Sequence, residues 1–415
     1  MSESAPAANK PWRILLLVTA VSVLYVGLTY GFYTGIASRV PGANDYFSRW
    51  MGARELFLGN GDPYSDAATR QIQIGMYGRP ARPDEDQVAF AYPLYAAFLT
   101  LPFVNMPYAW AESFWIALLM LLVGGVALTL ARYFDWSLSP LGLLGLLAFT
   151  FLFYPVLRGI FLGQYTLMVF ASLAGGIVLV GRGRDSWSGW VLALSTVKPH
   201  VALIALAVIL SWALFHKRWR LLRGFFSAMA LLLAFSFLLL PSWLSEFIGA
   251  VGAYQTYIQI GPPLQVLSQL FFPAPWAQAI VWLAALGLFG TLAAQWRRTI
   301  HSDWNAFLPT VELAMLVTTS VMIRTATTDQ AMLLLLWIHW LARLGRAGYR
   351  RLAVLVGAGV VCIPWFVFLM TLSGNQEAPI ATTTLVGLTL VAYWLLPLFR
   401  DMSLGPLGES GPVAA

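Results

Sequence analysis

Apolar residues run along this chain in stretches far longer than a globular core needs. They recur at 13–36, 88–104, 108–131, 139–157, 164–181, 187–215, 219–240, 275–296, 306–323, 330–342, 352–372 and 379–399. A helix crosses a bilayer with about 20 mostly apolar residues, and its backbone satisfies itself there. The pattern predicts an all-α integral membrane protein with about twelve transmembrane helices and both ends on one side. The 13–36 stretch is too long for a secretory signal and reads as a retained first span. Pro199 lies inside 187–215, which is read as one long helix kinked there. The alternative is a hairpin broken at Lys198-Pro199.

Two segments break the apolar rhythm, 37–87 and 241–274, and the span order puts both on one side. Within the first, Asn44 to Leu58 has helical periodicity. Asp45, Ser48, Arg49, Gly52 and Glu55 share one face, and Tyr46, Trp50, Ala53 and Phe57 another. This predicts an amphipathic helix at the membrane surface, ended by Gly59-Asn60-Gly61. It holds Asp45 where a lipid-borne phosphate arrives; the plainer alternative is that Asp45 serves the helix N-terminus and pairs with Arg49. In the second segment Ser242, after Pro241, is a candidate helix N-cap. The 402–415 tail is rich in Gly, Ser and Pro and is expected to lack structure. The domain expectation is therefore one transmembrane unit, 1–401, and a tail.

Composition confirms the solvent. Only 10% of residues are charged and 59% are hydrophobic, against about 25% charged in soluble proteins. The net charge of +7 is spread in short clusters such as 216–220 and 350–351. These resemble loop anchors, not a nucleic-acid-binding face. Fourteen of the 25 Lys/Arg fall on the N-terminal side of the twelve-span order and ten opposite, with Lys198 inside a span. This favours an external position for the two polar segments, but leaves Arg132, Arg182 and Arg184 in short external loops. The single cysteine, Cys362, excludes an internal disulfide. No internal repeat is evident.

Candidate chemistry begins at Asp45. The string from Asp45-Tyr46 to Gly59-Asn60-Gly61-Asp62-Pro63-Tyr64 resembles the first external loop of glycosyltransferase family 87, membrane enzymes of the GT-C fold that use polyprenyl-phosphate sugars and include mannosyltransferases. Tyr92-Pro93-Leu94 resembles the family's Tyr-Pro-Pro, with Leu94 in place of the second proline. Gly163-Gln164 resembles a Gly-Gln, and Lys198-Pro199 a Lys-x-x-Pro with altered spacing. The resemblance implies a GT-C-type helical bundle and an inverting hexose transfer, from polyprenyl-phosphate-mannose or a related donor to a lipid or glycan acceptor. It implies Asp45 as catalytic base, as sugar transfer requires a carboxylate to deprotonate the acceptor.

Lys198 is costly inside a membrane, hence a functional candidate by default, with Glu112 as an alternative partner. With His200 and Arg324 it is expected to contact the donor phosphate. Arg49, Tyr64, Tyr92, Gln164, Asp329 and Gln330 are expected pocket residues. Gln330 stands where the family often has a His, and cannot carry its charge. Asp84-Glu85-Asp86 reads as a solvated loop run, and Arg158 as a loop anchor. No metal site, cofactor or nucleic-acid partner is expected. The expected location is a bacterial inner membrane with the site facing the exterior. The rival reading is a transporter or lipid flippase; a non-catalytic scaffold is a third.

Overall fold

The computed structural model describes residues 11–40, 44–59, 61–257, 262–322, 326–373 and 377–395; Arg324 and the 402–415 tail lie outside them. The described residues form α1 (Pro11–Phe32), α2 (Tyr46–Leu58), α3 (Asp66–Tyr77), α4 (Tyr108–Tyr133), α5 (Pro140–Leu152), α6 (Tyr154–Phe161), α7 (Thr166–Gly181), α8 (Asp185–Leu194) and α9 (Pro199–Phe215). They continue as α10 (Trp219–Leu239), α11 (Trp243–Tyr257), α12 (Pro263–Phe271), α13 (Ala274–Thr299), α14 (Trp304–Val321), α15 (Leu333–Arg346), α16 (Arg350–Thr371) and α17 (Pro379–Leu395).

Five of these, α1, α4, α10, α13 and α16, are long and apolar enough to cross a membrane. A sixth candidate is the pair α5 and α6, bent by 64°. The bend falls at Phe153, with Pro155 in the first turn of α6. Leucines and valines of α1, α10, α13 and α16 stand exposed on the outside, as Leu17, Leu238, Leu283 and Val354 do. In water this would be an aggregation surface; in hydrocarbon it costs nothing.

Three predicted spans are corrected. The 88–104 run is not a long helix. It is an extended strip followed by 3-10 turns at Leu94–Leu99 and Leu101–Phe103, because Pro93, Pro102 and Pro107 each remove an N–H donor and restrict the residue before them. The 187–215 run is two helices, not one kinked helix. α8 ends at Leu194, a 3-10 turn spans Ser195–Val197, and Lys198 is non-helical at φ −133°, ψ 77°, with Pro199 opening α9. The 330–342 span begins as a 3-10 turn over Thr327–Met332 before α15 takes over.

Packing is closest where side chains are smallest. The Gly189 and Gly224 backbones touch, so α8 and α10 lie against each other without intervening side chains. Arg218, just before α10, clasps Asp185 at the start of α8 with two 2.6 Å hydrogen bonds. The opposite ends of the helices gather around Trp115, Tyr46 and Tyr165, all fully buried. Tyr46 stacks on Trp115 with centroids 5.0 Å apart. That aromatic block fixes α2 against α4 and α7.

Candidate functional site

α2 forms where predicted, but it is not a surface helix with one wet face. Tyr46, Trp50 and Ala53 are buried as the pattern requires, yet Ser48, Arg49 and Glu55 are buried too. The polar face looks into the protein. The helix start is pinned by Asn44, not Asp45. The Asn44 amide donates to Glu112 (2.7 Å) and to the Phe161 carbonyl (2.8 Å), and its oxygen accepts from Tyr46 N–H and Tyr108. Asp45 caps nothing with its side chain. The plainer reading keeps its place for Asp45 at the helix N-terminus but loses its Arg49 pair: Arg49 donates to the Asp45 backbone carbonyl, not the carboxylate. The carboxylate instead accepts a hydrogen bond from Gln164.

Gly163 explains how Gln164 arrives. It has φ +62°, and a Cβ there would sit 2.6 Å from the Tyr46 Cβ. Only glycine takes that conformation and that approach without strain. The turn between α6 and α7 thus presses on α2, and Gln164 lands beside Asp45. This corrects the sequence-based span order, which put Gln164 and Arg158 on the side opposite Asp45. Arg158 pairs with Glu377 at 3.2 Å, and Glu377 also accepts from Tyr154 and Thr327. It is part of an ion pair beside the site, not a solvated anchor.

A cavity of about 310 Å³ opens here, lined by Asp45, Arg49, Tyr92, Gln164, Lys198, His200 and Asp329 among others. Seven of the candidates read from the sequence are therefore together. Arg49 is held by its neighbours: it donates to the Tyr92 hydroxyl and to Gln164 (3.3 Å), and lies over the Tyr92 ring at 4.8 Å. Lys198 pairs with Asp329, not Glu112, and donates to Thr166 at 2.9 Å. Asp329 also accepts from Thr166 (2.6 Å) and the Ala326 N–H (3.2 Å), and has His200 at 3.5 Å. Burial opposes the charge on Asp329, but the Lys198 ammonium and His200 outweigh it and hold the carboxyl well below the usual range. A carboxylate so occupied is an anchor, not a base.

Two expected pocket residues do not line the cavity. Gln330 is fully buried, donates to the Thr382 carbonyl, and leaves its own oxygen without a partner among the described residues. Tyr64 stands behind the wall and donates to the Tyr92 carbonyl at 2.6 Å. The Gly-Asp-Pro-Tyr string is a brace: Asp62 accepts from Tyr64 N–H at 2.9 Å, and Tyr64 fixes the strip carrying Tyr92. Arg324 lies outside the described residues.

Other lining residues were missed, chiefly Asp86 and, from α11, Phe247, Val251 and Tyr254. The acidic run is not uniformly solvated. Glu85 pairs with Arg79 at 2.6 Å, whereas Asp86 turns into the cavity. Burial pushes the Asp86 carboxyl up, partly offset by the Val88 N–H, and Asp45 pushes the same way as burial. Among the described residues no group of three or more His, Cys, Asp or Glu forms a metal site. The remaining histidines are engaged elsewhere: His216 with the Ile300 carbonyl, His301 edge-on to Phe215, and His339 with Glu312 at 2.5 Å.

The family model of glycosyltransferase family 87 matches residues 90–323, more than half of the 415 in the chain. The chain belongs to glycosyltransferase family 87. It is accordingly a membrane-embedded glycosyltransferase, and the transporter reading is set aside. The family-87 match covers Tyr92, Gln164, Lys198 and His200; Asp45, Arg49 and Asp329 lie outside the matched residues. Among curated proteins none matches the chain.

Proposed function

We propose that this family-87 enzyme is an inverting hexosyltransferase. It takes a sugar, mannose by resemblance, from a polyprenyl-phosphate donor and passes it to a lipid or glycan acceptor. The observation that carries this reading is the Asp45 carboxylate, free of capping and ion pairing among the described residues, in one cavity with Lys198 and His200.

The chemistry follows from those groups. Asp45 takes the proton of the acceptor hydroxyl, and that oxygen bonds to the anomeric carbon from the face opposite the phosphate. The anomeric carbon–oxygen bond breaks with its electron pair going to the phosphate. One such displacement inverts the centre. Lys198 and His200 offset the charge that develops on the phosphate. Gln164 holds the carboxylate toward the acceptor, and Arg49 positions Gln164 and Tyr92. Arg324 remains a candidate phosphate contact on sequence grounds.

The helix ends also support a membrane orientation. Counting α5 with α6 as one crossing and α8 and α9 as a hairpin with Lys198 at its tip, the chain crosses twelve times. Of the described Lys/Arg, eight then lie on the cavity side and fourteen on the other. Arg132, Arg182 and Arg184 move to the basic side. Under the positive-inside rule this distribution supports an external cavity, facing away from the cytoplasm.

The test is sugar release from radiolabelled polyprenyl-phosphate-mannose by purified protein in lipid. Asparagine at position 45 keeps an oxygen for Gln164 but cannot accept the proton, so Asp45→Asn should lose about 10²–10⁴-fold in turnover at unchanged thermal midpoint. Full turnover by Asp45→Asn would remove Asp45 as base. No turnover by wild type with mannose or glucose donors would overturn the reading.

A further inference from the structure

We infer that Asp86, the strip 86–91 and Tyr254 form the acceptor subsite, and that it takes a sugar hydroxyl pair rather than a plain lipid alcohol. This rests on the glycosyltransferase reading and names the acceptor class for the same cavity.

The cavity has three carboxylates on its wall, and they differ in what they have left to offer. Asp329 is spent on Lys198, Thr166, the Ala326 N–H and His200. Asp45 accepts from Gln164 and faces the reacting centre in the proposed mechanism. The Asp86 carboxylate lines the cavity and, among the described residues, accepts one hydrogen bond, from Val88 N–H at 2.9 Å. A carboxylate has about four lone-pair sites, so most of its capacity faces the cavity unused. No described cation pairs with it, which disfavours a purely structural role in an ion pair.

The second observation is the backbone beside it. The strip from Asp86 to Pro93 is neither helix nor sheet, and Val88, Ala89, Ala91, Tyr92 and Pro93 all line the cavity. No hydrogen bond among the described residues occupies the backbone of Ala89 or Ala91. Polar backbone at a cavity wall needs partners, and a hydroxyl-rich ligand supplies both donors and acceptors. Small side chains at 89 and 91 leave that backbone accessible.

The third is the facing wall. Tyr254, Val251 and Phe247 of α11 line the same cavity. Burial raises the Tyr254 hydroxyl's pKa, and the charge of Asp86 is the next largest cause. An aromatic face opposite a carboxylate and free backbone groups fits a pyranose, which has apolar C–H faces and a polar rim. A polyprenyl or simple alkyl alcohol offers one hydroxyl and would leave the strip unsatisfied.

The experiment compares octyl mannoside and octyl glucoside with octanol as acceptors, using radiolabelled polyprenyl-phosphate-sugar and protein in lipid. Wild type should prefer a glycoside to octanol by at least roughly 100-fold in kcat/KM, since a site built for hydroxyls rejects what lacks them. Asp86→Asn should raise the glycoside KM about tenfold or more, in line with losing hydrogen bonds to a charged group. The KM for donor should move far less, and the preference over octanol should shrink. Tyr254→Ala should do the same; Asp86→Glu should recover part of the loss. A wild type with turnover but no preference for glycosides, or an Asp86→Asn whose glycoside KM is unchanged, overturns the subsite alone. So does an Asp86→Asn that raises donor and acceptor KM in parallel. A wild type that releases no sugar from any lipid-phosphate donor sinks the enzymatic reading itself, and the subsite with it.

Discussion

Lys198 and Asp329 show what a buried charge needs. Both are nearly inaccessible, at 7% and 1%, and each would be expelled from the interior alone. Paired, and hydrogen-bonded to Thr166, they hold the α8–α9 break against the turn before α15. Lys198→Met leaves the Asp329 carboxylate buried without its cation, a loss of about 3–5 kcal/mol; adding Asp329→Asn should return part of it. The acid dependence follows from the depressed Asp329 pKa. Its stabilising contribution is complete above the ordinary value of 3.8 and is lost as pH falls toward the lower folded value. Thermal midpoints in detergent should be flat above about pH 5 and fall below about pH 4, and Lys198→Met should flatten that fall. An unaltered midpoint in Lys198→Met would contradict this account. At this scale the sequence was informative where cost is intrinsic: a lysine in an apolar run, a glycine before a glutamine. It was silent where proximity comes only from chain closure. Nothing local distinguishes Asp86 from Glu85, yet one enters the cavity and the other pairs with Arg79.

At the scale of elements, apolar composition misleads because it cannot tell lipid-facing from protein-facing residues. The 88–104 run is hydrophobic enough for a span, but Leu94, Ala96 and Ala97 are buried in protein, and the prolines decide the backbone. The same ambiguity let 187–215 pass as one helix. The residue before proline avoids the helical region, and Lys198 does so with the break that puts its ammonium on Asp329. The contact of α8 with α10 carries a sharper consequence. A Cβ at Gly189 would meet the backbone of Leu221 and Phe225, which cannot rotate aside. Gly189→Ala should therefore part the two helices and lower the thermal midpoint by several degrees. Gly249→Ala and Gly287→Ala, with nothing within 4 Å of the added carbon, should be tolerated. Equal effects at all three positions would show that α8 and α10 are not held at this contact.

For the whole molecule, the arrangement of charge ties the fold to the site. In the proposed twelve-crossing order Arg132, Arg182 and Arg184 change side, because 88–104 is not a long helix and 187–215 breaks at Lys198. In that proposed order the two changes offset each other, and the segments between them change side. Each correction has its own physical cause, prolines in one case and the residue before a proline in the other. Together they gather Asp45, Gln164, Lys198 and Asp329 at one face. That orientation can be read by labelling. In a Cys362→Ala background, Asp84→Cys, Arg184→Cys and Arg346→Cys each introduce one thiol at an exposed position. A membrane-impermeant maleimide should label the first in intact spheroplasts, and the other two only after permeabilisation. Labelling of Arg184→Cys from outside would restore the uncorrected order up to α8. It would then set Lys198 and Gln164 on opposite sides of the membrane from Asp45, which their shared cavity does not allow.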